Sequence, residues 1–160
     1  MRYTLWHRDT LVGETDFGLG NRGGSRAGVL HPTPSGMAVL PALTAMAPAL
    51  LSAGEAMQRL PLSDEDIERD ADAAMEAFAA SPEGQRVLRA AEEMADLELR
   101  DPSGKPVALD SLLVSDLQEM AALGATLRRG QSLRGDPVRY VISATFSMRR
   151  GRAWAVAGPH

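Results

Sequence analysis

From Arg2 to Thr33 the chain alternates apolar and polar residues with a period of two, which predicts short strands. Tyr3, Leu5 and His7 share one face of the first strand, and Thr4, Trp6 and Arg8 share the other. Arg8-Asp9 reads as a turn, because an aspartate side chain bonds readily to nearby backbone. A second strand, Thr10 to Phe17, puts Leu11, Thr15 and Phe17 on one side and Val12, Glu14 and Asp16 on the other. Gly13 at its middle predicts a bulge or a close backbone approach. Residues 18–24, G-L-G-N-R-G-G, then form a glycine-rich hairpin loop, and the prolines after His31 hold an extended exit.

The pattern then changes to a helical period. Ser35 offers an N-cap, and Val39, Leu43, Met46, Leu50 and Met57 recur at helical spacing. Pro41 suits a first turn, whereas Pro48 breaks or kinks the run, so two helices or one bent helix are expected between 36 and 60. Ser63 caps the next helix, 64–80, with Leu62 stapled onto Ile67 and acids in the first turn. Ser81 and Pro82 open another, with Val87, Leu88, Ala91, Met94 and Ala95 as its apolar stripe. Its methionines and those of the preceding helices read as core filling rather than a docking surface.

Strand alternation returns at Leu97 and Leu99. Asp101-Pro102-Ser103-Gly104-Lys105 is the strongest turn signal, and Val107 and Leu109 begin a returning strand. A short helix follows at 116–123, with Ser115 in the capping position. Val138 to Met148 is the clearest strand of all, and Ala153 to Ala157, carrying Trp154, pairs back as a last one. The fold class expected is α+β. Strands from 2–33 and 97–157 form a mostly antiparallel sheet or small barrel, and the helices of 36–95 pack on one face.

At 160 residues the chain makes one domain. It has no cysteine, which excludes disulfides, thiolate metal sites and thiol nucleophiles. No signal sequence and no uninterrupted membrane span are read from it, so the expectation is a cytoplasmic protein with no membrane partner. Charge is polarised. Residues 63–76 hold seven acids and one base, and residues 125–160 hold seven arginines and one acid. Either pole suits an oppositely charged protein partner, with a second copy of the chain, as a homodimer, among the candidates. Nucleic acid is argued against, because Tyr140 and Phe146 lie on the strand face opposite Arg139 and the acidic helix repels phosphate.

Gly18, Gly20 and Gly23 spell G-x-G-x-x-G, but no helix can open directly after them and 37–50 carries no acid, so the dinucleotide fingerprint fails. No G-x-S-x-G elbow occurs, no calcium loop spacing occurs in the acidic stretch, and no catalytic residue, metal ligand or cofactor is assigned. The first reading is therefore a small non-enzymatic protein-interaction module, acting through its charge poles or a sheet edge. The alternative is a small-molecule-binding protein or small enzyme. Its pocket lies between the N-terminal hairpin, the glycine loop and His31, and draws on Trp6, His7, Glu14, Asp16, Arg22, Arg26 and His31.

Overall fold

The computed structural model describes residues 1–22, 24–58, 65, 70–123 and 138–147. Strands β1 (Tyr3–His7) and β2 (Thr10–Thr15) form the expected hairpin around Arg8-Asp9, with Arg8 at a φ of +53°. Leu5 pairs with Gly13 while Trp6 pairs with Leu11, so Val12 is an extra residue in β2. This bulge corrects the expected facing of β2. Val12 turns inward and is fully buried, and Leu11 is left half-buried. Gly13 also meets a close neighbour, since a Cβ there would lie 2.6 Å from the His31 carbonyl oxygen. That neighbour belongs to β5 (His31–Pro32), which pairs with β2.

Phe17, at a φ of +56°, turns the chain away from β2. The glycine-rich segment then folds as a second hairpin, β3 (Gly20–Arg22) and β4 (Ser25–Val29), turning through Gly24 at a φ of +88°. A strand follows the glycines where a nucleotide loop would need a helix. The remaining strands are β6 (Leu97–Arg100), β7 (Leu109–Asp116) and β8 (Tyr140–Phe146).

The described strands make two four-stranded sheets, in the orders β5-β2-β1-β6 and β3-β4-β8-β7, with every pairing antiparallel. The N-terminal strands do pair with later ones, β1 with β6 and β4 with β8. The fold is α+β, with two open sheets instead of one layer or a closed barrel. The division arises at three connections. The turn at Phe17 carries the chain from the first sheet to the second, Leu30 between β4 and β5 returns it to the first, and the loop after β6 carries it across again. That loop begins at the expected turn, where Asp101 accepts bonds from the Ser103 and Lys105 N–H groups and Gly104 has a φ of +81°. Val107 bonds back to Leu99, but the strand proper starts at Leu109 and joins β8. The expected strand at 153–157 lies outside the described residues, and both edges of β8 are already occupied.

The core lies between the sheets and the first helix. Leu5, Val12, Leu40, Leu43, Val114 and Ile142 are wholly shielded from water. Tyr3, Phe17 and Phe146 pack edge to face with ring centroids 5.2 to 5.9 Å apart, which locks one end of the two sheets together.

Helix α1 (Pro34–Leu43) is capped by Thr33 rather than by Ser35. The Thr33 hydroxyl accepts from Gly36 N–H and donates to the Leu11 carbonyl, tying the helix start to β2. A new helix, α2 (Met46–Gln58), starts after Thr44-Ala45, so Pro48 sits in a first turn, where no intrahelical donor is lost. Residues 34–56 together have a mean hydropathy of 1.6 in their most apolar window and match a membrane span by length, but here they form two helices whose Leu40 and Leu43 enter the core.

Helix α3 (Ala71–Ala80) is capped by Asp70. The cap at Ser63 and the Leu62–Ile67 staple lie outside the described residues. Helix α4 (Pro82–Ala95) is capped by Ser81, as expected. Its inward face is Gly84, Val87, Ala90 and Met94, so Leu88, at 47% exposure, Ala91 and Ala95 of the expected stripe are exposed instead. Helix α5 (Leu117–Ala122) takes Asp116, not Ser115, as its cap. Helix α1 packs on β2, and α2 packs on α4 and β7.

Candidate functional site

Strand register places the expected ligand-binding residues. On the outer face of the first sheet, His31 stands opposite Glu14, Glu14 opposite Thr4, and Thr4 opposite Arg100. Arg2 bonds Glu14 at 3.1 Å. Arg2, Glu14, Thr15, Asp16 and His31 line a hollow of about 310 Å³. Trp6 is on the same face, but Arg100 covers its ring at 4.5 Å and its indole N–H donates to Thr4. Thus Glu14, Asp16 and His31 come together, with Trp6 to one side.

Of the other three expected residues, His7 and Arg26 do not join them. His7 points inward, as its alternation with Tyr3 and Leu5 requires, and is 6% exposed. Its Nε2 lies 3.6 Å from a Glu93 carboxylate oxygen on α4 and makes no hydrogen bond among the described residues. Arg26 is on the second sheet, stacked 4.7 Å over Phe146, where it serves packing. The Arg22 side chain lies outside the described residues.

A second polar group gathers where β7 meets α5. Asp116 is 7% exposed and accepts two bonds from Arg139, at 2.9 and 3.0 Å, and two from the N–H groups of Gln118 and Glu119. Burial pushes the Asp116 carboxyl up, yet Arg139 and those N–H groups outweigh it and hold the pKa below the ordinary carboxylate range. The residues border a hollow of about 440 Å³ with Pro41, Thr44 and Tyr140. Each Asp116 oxygen accepts two bonds, so this carboxylate works as a cap and a clamp rather than as an acid or base.

The third and largest feature was not expected from the sequence. β6 ends the first sheet and β7 ends the second. The two edges border one hollow of about 540 Å³, floored by Met94 and Ala95 of α4 and walled by Leu97, Val107, Leu109 and Leu112. Backbone bonding is decided by register. Leu117 N–H donates to the Arg139 carbonyl, and alternation along the ladder then gives Leu113 and Ser115 to β8. Leu112 and Val114 turn their N–H and C=O groups the other way, where no backbone partner stands among the described residues. An edge strand of eight residues with no proline is therefore presented beside an apolar cavity. Alternation and turn residues, the signals of a strand and its ends, are blurred in L-D-S-L-L-V-S-D, so the pattern marks only its first residues.

Among the described residues no group of three or more histidines and acids is arranged to hold a metal ion. No family model, curated protein or solved structure matches the chain.

Proposed function

We propose that the protein is a non-enzymatic interaction module that takes an extended peptide segment of a partner along the outer edge of β7. The observation that carries this reading is the pairing of an eight-residue edge, without a strand partner among the described residues, with an apolar hollow of about 540 Å³ beside it. Strand addition draws its affinity from main-chain hydrogen bonds and its specificity from pockets that receive alternate side chains, and both are supplied here. Glu98 is paired with Arg100, so Asp110 is the rim carboxylate that favours a segment whose apolar residues are flanked by bases.

The experiment is fluorescence anisotropy with labelled, basic-flanked peptides of alternating valine or tryptophan. Leu112→Pro removes an N–H that faces the open edge and leaves the β7–β8 ladder intact. Ala91→Arg, at an exposed position lining the hollow, fills it from α4 without touching the core. Binding that both variants abolish supports the reading, and binding that neither affects refutes it.

A second reading, small-molecule binding at Glu14, Asp16 and His31, is favoured by their shared hollow of about 310 Å³. Its test is a thermal-shift screen of small amines, with a stabilisation lost on His31→Ala.

A further inference from the structure

The hollow of about 440 Å³ where α1, α5 and β8 meet holds polar groups that the Asp116 cap and clamp leave unused. Thr44, the residue that closes α1, is 3% exposed yet borders this hollow, and its side chain makes no hydrogen bond among the described residues. Buried hydroxyls are nearly always paired, so this one is available to whatever enters the cavity it borders. Arg139 gives Nε and Nη2 to Asp116 and keeps Nη1 unengaged, with its side chain 47% exposed. Gln118 and Glu119, exposed on α5, border the same hollow, and neither side chain makes a hydrogen bond or ion pair among the described residues. Pro41 and Tyr140 complete the wall.

We propose that this hollow binds a small zwitterion of the α-amino acid class, with its carboxylate on Arg139 and the Thr44 hydroxyl and its ammonium on Glu119. The sign of the charges selects this class. A simple anion meets Glu119 and Asp116, and a simple cation meets Arg139, whereas a molecule that carries both charges finds an opposite charge for each. Unused donors on Arg139, Thr44 and Gln118 suit the acceptor-rich carboxylate. Size agrees, since sites for small molecules run from about 300 to 1,000 Å³. Asp116 is a positioning residue here. It is 7% exposed, tied to the Gln118 and Glu119 N–H groups, and fixes the guanidinium through two bonds before any ligand arrives. Because those N–H groups are already taken, recognition falls to side chains. The site is separate from the outer edge of β7 and stands whether or not that edge takes a peptide.

The test is isothermal titration calorimetry of the full chain with free L-leucine, L-phenylalanine and L-glutamine, and with the N-acetyl and carboxamide derivatives of each. Binding of a free amino acid that weakens about tenfold or more when either charge is blocked supports the proposal. Two variants place the ligand. Thr44→Val keeps the shape of the side chain and removes a hydroxyl that bonds nothing in the described structure, and is expected to weaken binding about threefold or more. Glu119→Gln changes an exposed residue and is expected to weaken it about tenfold or more. Both should melt at the temperature of the native protein, so a loss of binding is not a loss of fold. Failure of all three amino acids to bind overturns the proposal, as does equal binding of a blocked derivative. Native affinity in either Thr44→Val or Glu119→Gln overturns it as well, because the ligand then sits elsewhere.

Discussion

Replacing Asp116 tests how the end of the second sheet is held. The carboxylate caps α5 through two N–H groups and clamps Arg139 through two more. Losing an N-cap costs about 1 kcal/mol. The clamp adds roughly 1 to 2 kcal/mol, less than a wholly buried pair because the Arg139 side chain is 47% exposed. Asp116→Ala is therefore expected to cost about 2 to 3 kcal/mol, and at about 2 to 4 °C per kcal/mol for a chain of this size the Tm falls by roughly 4 to 12 °C. Asp116→Asn keeps an oxygen for the cap and loses the charge, so it costs less, about 1 kcal/mol. The pH dependence has a definite sign. A carboxyl held low in the folded state stabilises fully above its unfolded pKa and loses that contribution as pH falls through its folded pKa. The gap between the native protein and Asp116→Asn should hold from pH 7 to about pH 5 and close below about pH 3.9. Urea unfolding at a series of pH values measures it. An Asp116→Ala cost under about 0.5 kcal/mol, the range of an ordinary surface change, would refute the clamp, as would a gap unchanged at low pH.

Three further outcomes follow from the packing. Gly36→Ala drives a Cβ into the Val12 carbonyl where α1 meets β2, so thermal melts should show a loss of about 3 kcal/mol or more. His7→Leu removes a buried nitrogen without a hydrogen bond among the described residues, and is expected to leave stability within about 1 kcal/mol of native at pH 8 by urea titration. Ile142→Ala, at the centre of β8 and wholly buried, should cost about 2 to 5 kcal/mol, whereas Leu88→Ala on α4 should cost well under about 1 kcal/mol despite its place in an apolar-looking stripe.

Local signals in this chain were legible where one residue type decides the matter. Ser81-Pro82 starts α4, Asp101 to Lys105 turns, and the alternation of Tyr3, Leu5 and His7 gives the inward face of β1. The grouping of His7 with Glu14 and Asp16 fails for the same reason, since that alternation turns His7 inward, away from the outer face that Glu14 shares with His31. What could not be read depends on partners distant in sequence. The extra residue Val12 in β2 reverses the facing of Leu11 and Val12, and a period-two pattern has no mark for a bulge beyond Gly13. Thr33 takes the cap from Ser35 because its hydroxyl also reaches the Leu11 carbonyl, a contact across the sheet edge. The division into two sheets rests on the turn at Phe17, a residue whose type gives no warning of positive φ. The hollow between β6 and β7 is a product of that division, so it was invisible until the strand order was known.

Amide exchange along β7 tests the central claim most directly. Leu113 and Ser115 donate to β8, whereas the Leu112 N–H faces the outer edge. Leu113 and Ser115 should stay protected while Leu112 exchanges much faster. Equal protection of all three residues would mean that β7 has no open edge, and the account would be wrong.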